Sequence, residues 1–330
     1  VQEQTVGDLS EGAILRRILD RLPTSRAIVG PGDDAAVLDA ADGRVVATTD
    51  TLVHGPDFRL AWSSPFDLGW KAAAVNLADV AAMGARPTAL LVALAMPDDL
   101  PVSFVDGLAA GLAAACAELA PGCAVEGGDL TVSDTLTIAV TALGSLDGRE
   151  PVRRSGAAVG DTVAVVGDLG VAALGLSVLF RSFVDAAGSP VAIDPRAWAG
   201  LTAAETEGLK RQLAPRPPIA GGAIAAVAGA TAMMDVSDGL ALDARRMADA
   251  SGVTLDIARA LLGDSPDAAL EGGEDHALLA TFPRGAALPE GFRAIGEVRS
   301  RVDAPVTVDG VPYEKPGGWD PYRDWDAGRG

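Results

Sequence analysis

The stretch SPFDLGWKAAAVNLADVAAMGARP, residues 64–87, carries both ends of a helix in its own chemistry. Ser64 is a capping type, Pro65 suits a first turn whose N–H groups lack partners, Gly84 permits the stop, and Pro87 forbids continuation. The spacing predicts a helix from Ser64-Pro65 to Met83. Asn76 and Asp79 are three apart and share one face, among Ala, Val, Leu and Met. A carboxylate there is partly buried, and burial without a partner costs several kcal/mol or forces protonation. A cation, an arginine or backbone donors should meet Asp79; a bond to a neighbouring loop fits this segment equally well.

Upstream, Ile14, Leu15, Ile18, Leu19 and Leu22 share a face of a first helix, and residues 44–47 read as a strand. That strand should deliver Thr48, Thr49 and Asp50 where it meets a loop. Downstream, a buried strand is predicted over 88–95, a helix over 102–119, a strand over 124–126 ending in Gly127-Gly128-Asp129, and a strand over 136–143. The polar stretch Asp147-Gly148-Arg149 and Arg153-Arg154-Ser155-Gly156 is turn-prone and marks the expected domain boundary. Beyond it follow a strand over 162–166, a helix from Val171, a break at 215–218, another helix, and a strand ending at Asp235. The alternation gives an α+β (mixed α/β) class. The expected units are 1–150, 151–318 and a tail over 319–330 that frays from Asp320.

A chain of 330 residues exceeds what one core usually carries, which agrees with two domains. Apolar types reach 49% while aromatics are only 4%, so Ala, Val and Leu must fill the interior. The net charge of −19 argues against nucleic acid and anionic membrane surfaces as partners. Any phosphate handled here needs bound cations and a few local Arg or Lys side chains. Cys116 and Cys123 have no Cys or His cluster beside them and read as buried thiols of a reducing cytoplasm. Residues 1–10 lack a basic region followed by an apolar stretch, and 219–234 is too short and weakly apolar to span a bilayer, so a cytoplasmic location is expected.

The common nucleotide signatures, a phosphate-cradling G-x-x-x-x-G-K-[ST] and a G-x-G-x-x-G after a strand, are missing. What the chain offers is carboxylates and hydroxyls beside glycines: Gly32-Asp33-Asp34, Thr48-Thr49-Asp50, Asn76 with Asp79, Gly127-Gly128-Asp129, and Asp235-Val236-Ser237-Asp238-Gly239. Singly, each reads as a turn or a helix cap. Gathered together, such carboxylates would repel by about 4 kcal/mol per close pair at an intermediate dielectric. Hard Asp and Thr oxygens without His or Cys suit Mg²⁺ on nucleotide phosphates. His54 and His276 read as structural residues, and phosphoryl transfer needs no side-chain base.

Seven segments in order resemble the thiamine-monophosphate kinase family, within the superfamily of aminoimidazole ribonucleotide synthetase, selenophosphate synthetase and a hydrogenase maturation protein. They are Gly32-Asp33-Asp34-Ala35-Ala36, residues 48–53, residues 71–85, Gly127-Gly128-Asp129, Arg154-Ser155-Gly156-Ala157, Asp235-Val236-Ser237-Asp238-Gly239-Leu240 and Gly272-Gly273-Glu274-Asp275. The resemblance implies a two-domain aminoimidazole ribonucleotide synthetase-like fold, a homodimer, several Mg²⁺ ions, and direct transfer of the γ-phosphoryl group of ATP to thiamine monophosphate. By position it implies metal ligands at Asp34, Thr48, Thr49, Asp50, Asp79, Asp129, Asp235 and Asp238. It puts ATP contacts at Gly128, Asp129, Arg154 and Ser237, and catalysis on Asp50, Asp79, Asp129, Asp235 and Asp238. Substrate contacts fall at Asp57, Glu274 and Trp319.

Two departures stand out. Asp57 precedes Phe58 where the family commonly has His, and Gly318-Trp319-Asp320-Pro321-Tyr322 replaces a common Gly-Tyr-Asp-His-Phe ending. Glu274 also reads as a turn end, and Trp319 as a tail anchor. The rivals are another ATP-using enzyme of the superfamily and a nucleotide-binding paralogue impaired in catalysis, the latter motivated by Asp57.

Overall fold

The computed structural model describes residues 4–25, 27–29 and 38–319. The Asp33-Asp34 segment, with its expected ligand Asp34, and the tail from Asp320 onward lie outside the described residues. The first half runs α1 (Glu11–Leu19), β1 (Val46–Val53), α2 (Pro65–Ala82), β2 (Arg86–Met96), α3 (Val102–Leu119), β3 (Ala124–Val132) and β4 (Thr137–Ser145). The second runs β5 (Thr162–Val166), α4 (Val171–Ser182), α5 (Pro195–Trp198), α6 (Ala203–Leu213), α7 (Ile219–Val227), β6 (Ala232–Val236), α8 (Leu240–Ser251) and β7 (Val253–Ile257), then α9 (Pro266–Glu271), β8 (Ala277–Phe282), β9 (Arg293–Ser300), β10 (Val306–Val308) and β11 (Val311–Pro312).

The signals at the ends of α2 work as the sequence suggests. Ser64 Oγ accepts the Asp67 amide at 3.1 Å, Pro65 stands in the first turn, and Gly84 takes φ +73° just past the end. Helix α3 lies against α2 at backbone distance: a Cβ at Gly69 would sit 2.0 Å from the Leu108 carbonyl oxygen, and one at Gly111 2.0 Å from that of Phe66. Among the described residues α3 is the one helix long and apolar enough to cross a membrane, and half of it is buried inside the protein.

β1 to β4 form one sheet in the order β1-β4-β2-β3, with β2 and β3 parallel and the other pairs antiparallel. On β4, Ile138, Val140 and Ala142 are buried and their alternate neighbours only half-buried, so one face of the sheet is covered. Two strands are longer than expected. β1 continues through Thr48, Thr49 and Asp50 to Val53, each residue paired on β4, so the triplet lies inside a strand and not at its end. β3 runs through Gly127-Gly128-Asp129 to Val132 alongside β2.

β5 to β11 form a second sheet in the order β11-β10-β7-β9-β5-β8-β6. Every residue of β8 is buried, because helices cover both faces. Ala277 and Leu279 join the cluster made with Leu240, Ala244 and Met247 of α8. Leu278, Ala280 and Phe282 face the other way and join the core that contains Leu68, Leu77 and Ala81 of α2. Burying such a Leu or Phe contributes about 1.5–3 kcal/mol each, so α2 is the central helix of a core shared by both sheets.

Candidate active site

Strand alternation and the 3.6-residue turn bring the polar residues of β1 and α2 together. Thr48 and Asp50 face α2: Thr48 Oγ1 donates to Asp79 Oδ2 at 2.8 Å, and the Asp50 amide donates to Asn76 Oδ1 at 3.0 Å. Asn76 is itself fixed by donating from Nδ2 to the Ala72 carbonyl at 2.9 Å. Thr49 is out of phase by one residue, and its hydroxyl donates to the Val140 carbonyl at 3.0 Å.

The second sheet supplies the other wall. On β6, Met233 belongs to the core shared with α2 while Met234 and Val236 belong to the opposite cluster, so Asp235 falls in phase with Met233 on the α2 side. Its Oδ2 lies 3.2 Å from Nδ1 of the buried His276. Burial, then Asp235 and Asp50, push the Asp79 carboxyl up to about 7. Asp50 is raised by burial, against the pull of His276 and with the help of Asp235, Asp238 and Glu274; its residue surface is still open to solvent, so the carboxyl stands in a crowded cleft mouth. Burial opposes charge on His276, but the bond to Asp235 and the charges of Asp235, Glu274 and Asp79 outweigh it and raise the imidazole above its usual value.

Beyond β6 the chain turns through Ser237 and Asp238 into α8. Asp243 reaches back from the first turn of α8 to accept the Asp238 amide at 3.1 Å and the Gly239 amide at 3.2 Å; the N-cap of the helix is Gly239, with no side-chain cap, so neither Ser237 nor Asp238 serves as the cap its residue type suggests. Burial and the charge of Asp235 push Asp243 up to about 6. Arg246 Nη1 bridges it to Asp238, at 2.6 Å from each carboxylate. The loop before β8 closes on the same turn: the Glu274 amide donates to the Ser237 carbonyl at 2.7 Å, and the Trp319 amide to that of Asp238 at 3.1 Å. Glu274 and His276 hold positive φ, +72° and +51°. Asp57 Oδ2 accepts the Val53 amide at 2.7 Å; burial raises its carboxyl despite that bond, and Glu274 raises it further.

Asp50, Asp79, Asp235, Asp238, Glu274 and Asp57 therefore act on one cleft, with Thr48 and Ser237 beside them. Asp129 does not join them here. It pairs with Ala93 of β2, which lies opposite Ala139 of β4, whereas Asp50 pairs with Val140; the two carboxylates are one strand phase apart. Gly128 has a packing reason for being glycine, since a Cβ would lie 1.9 Å from the Val92 carbonyl oxygen. Arg154 is exposed, and its carbonyl accepts Ser251 Oγ at the far end of α8 from Asp238. Among the described residues no three His, Cys, Asp or Glu side chains are already arranged around a single ion position.

Residues 32–146 match the family described as AIR synthase related protein, N-terminal domain. A thiamine-monophosphate kinase of Mycobacterium tuberculosis is 39% identical, over 98% of this chain and 95% of its own length. One from Corynebacterium glutamicum is 40% identical, over 96% and 94%. The chain belongs to the thiamine-monophosphate kinase family. A solved structure of that family, AaThiL complexed with AMPPCP and TMP, is 31% identical, superposes with a TM-score of 0.72, and covers 96% of this chain and 99% of its own.

Three residues of this family member carry roles that the sequence reading did not assign. His276 reads as structural yet sits among Asp235, Asp79 and Glu274; Asp243, not singled out in the sequence, holds the Asp238 turn; and Lys71, taken only as part of the 71–85 segment, pairs with Glu274. The signal for Lys71 was present: a lysine inside a run of Ala, Val and Leu must have an anion waiting for it.

Proposed function

We propose that this chain transfers the γ-phosphoryl group of ATP to thiamine monophosphate, giving thiamine diphosphate and ADP. The observation that carries the reading is the convergence of Asp50, Asp79 and Asp235, from three different elements, on one cleft of a chain closely related to thiamine-monophosphate kinases. A phosphate oxygen of the acceptor attacks the γ-phosphorus, and the bond from that phosphorus to the bridging oxygen of ADP breaks. The acceptor is a phosphate monoester with a second pKa of about 6, so it arrives ionised and needs no base.

The residues fit Mg²⁺. Their donors are hard oxygens, and both the burial that chiefly raises Asp79 to about 7 and the repulsion from Asp235 and Asp50 that adds to it are offset by a bound divalent cation. Asp50, Asp79 and Asp235 would hold it with Thr48 and Asp238; Thr49 and Asp129, on the other face of the first sheet, and Asp34 are assigned to a further ion rather than to this one. Bound there, magnesium supplies charge neutralisation and a template for two polyanions. The protein's own work is positional. Asn76 fixes the β1 backbone at Asp50, Thr48 orients Asp79, and His276 orients Asp235. Gly128, Asp129, Arg154 and Ser237 are assigned to ATP, and Glu274, Asp57 and Trp319 to the acceptor. Trp319, exposed beside the Asp238 turn, offers a ring that can stack on a heteroaromatic ring.

The reading also takes 1–150 and 151–318 as two domains, each built around its own sheet, and the molecule as a cytoplasmic homodimer. Support comes from the half-exposed face of the first sheet and from the two buried free thiols, Cys116 and Cys123.

The test is product analysis after incubation with ATP, Mg²⁺ and thiamine monophosphate, with thiamine and an aminoimidazole precursor as parallel acceptors. Thiamine diphosphate formed in step with ADP, and lost in Asp50→Asn, is the expected result. Tight Mg-ATP binding with no diphosphate would overturn it.

A further inference from the structure

Lys71 is unusual for its place in the fold. It lies in the first half of α2, between Trp70 and Ala72, with a side chain only 5% exposed. Its Nζ is 2.5 Å from Glu274 Oε2 and 3.4 Å from the Gln212 carbonyl oxygen at the end of α6. A buried ammonium in an apolar helix face is tolerated only because of that carboxylate.

The partner is held from both ends. Its backbone takes φ +72°, a conformation that a non-glycine residue adopts at a cost, and its amide donates to the Ser237 carbonyl at 2.7 Å. Its side chain is 40% exposed, yet Oε2 is itself buried. The exposure therefore belongs to the rest of the side chain, its methylenes and Oε1, while Oε2 is held on Lys71. Asp57 lies in the same field, raised by Glu274 and lowered by Lys71. Burial disfavours a charged Glu274, but Lys71 and then His276 outweigh it and keep the carboxyl below its usual value.

We infer that Lys71 is a positioning residue for the acceptor: it fixes Glu274 so that one anionic oxygen meets a nitrogen donor or cationic ring of the substrate. The inference rests on the proposed function. Thiamine monophosphate fits it chemically, since it carries a permanently cationic thiazolium and an exocyclic amine. Lys71 itself lies behind Glu274 and touches no reacting atom.

The experiment compares wild type, Lys71→Met, Lys71→Arg, Glu274→Gln and the double variant Lys71→Met/Glu274→Gln in steady-state kinetics, varying thiamine monophosphate and ATP separately. Lys71→Met should raise KM for thiamine monophosphate roughly ten- to hundredfold, with kcat and the ATP KM changed less than about threefold. Lys71→Arg should recover most of that loss. The double variant, which leaves no unpaired buried charge, should match Glu274→Gln alone; two effects that multiply in it would overturn the inference. An unchanged acceptor KM in Lys71→Met, or an equal loss for both substrates, would also overturn it. Absence of thiamine diphosphate from the wild type removes the proposed function and this inference together, whereas wild-type turnover with an indifferent Lys71→Met removes this inference alone.

Discussion

His276 Nδ1 stands 3.2 Å from Asp235 Oδ2, in a buried setting where Glu274, Asp79, Asp50 and Asp275 also lie within reach of its charge. An imidazolium there partly neutralises the carboxylates when no metal does. Its folded pKa is raised from about 6.5, so its stabilising share is whole below that value and is lost as pH rises through the folded one. Asp79, raised from 3.8 to about 7, acts in the same direction: the folded chain holds that proton more tightly, and stability falls as pH climbs from about 4 to about 7. Lowered carboxyls such as Glu205 change stability only below about pH 5 and do not mask this. Metal-free protein should therefore lose thermal stability between about pH 5.5 and about pH 8, and the increment added by Mg²⁺ should grow over that range, since binding releases the protons. Melting curves with and without Mg²⁺ across that window check it. An increment independent of pH would mean that magnesium binds elsewhere.

Asp79→Asn should move stability and activity in opposite directions. The amide oxygen can still accept from Thr48 Oγ1, while the repulsion with Asp235 and Asp50 disappears. Metal-free Asp79→Asn should be more stable than wild type at about pH 8 by on the order of 1–3 kcal/mol, read from urea unfolding. Thiamine diphosphate formation should fall at least about a hundredfold. A variant that is both inactive and less stable would assign Asp79 a packing role instead.

The ends of α2 were legible because a cap, a first-turn proline and a terminal glycine act within a few residues. The lengths of β1 and β3 were not. Thr48-Thr49-Asp50-Thr51 is polar enough to read as a loop, and only its pairing with residues 139–142 of β4 makes it strand. Gly127-Gly128-Asp129 has turn composition, but a glycine at 128 is what close approach to Val92 requires. Those two extensions decide the site, because a strand alternates: Thr49 separates from Thr48 and Asp50, and Asp129 from both. Asp50, Asp79 and Asp235 could be named from the chain, but their meeting depends on the two sheets sharing α2, a long-range fact with no local signature.

That shared helix gives a stability prediction. Helix α7 approaches α2 so closely that a Cβ at Gly222 would lie 2.0 Å from the Ala81 carbonyl oxygen and 2.9 Å from its Cα. Backbone cannot step aside as a flexible side-chain tip can, so Gly222→Ala must push α7 off α2. The expected loss is about 1–3 kcal/mol in urea unfolding. Asp79 lies two residues before Ala81 on the same helix, so activity should fall as well, by more than the unfolded fraction explains. Gly229→Ala, at a φ of +82° with open space around it, is the control for backbone strain without a collision.

Substitutions at Asp57 test which end of the acceptor it faces. Its carboxylate accepts the Val53 amide at 2.7 Å, and its own amide donates to the Val53 carbonyl at 3.2 Å, so it closes the turn after β1. Asp57→Asn keeps an oxygen for Val53 and should stay within about 0.5 kcal/mol of wild type, whereas Asp57→Ala leaves that amide without its acceptor and should lose about 1 kcal/mol. The charge reads separately in kinetics. If Asp57 borders the anionic phosphate, Asp57→Asn removes a like charge, and KM for thiamine monophosphate should fall about two- to fivefold. We expect the opposite, a rise of similar size, because Asp57 shares the field of Glu274 and Lys71 at the cleft wall assigned above to the cationic ring. Asp57→His would then restore the family's common residue and still weaken acceptor binding, since it replaces an anion facing a cation and gives up the hold on Val53.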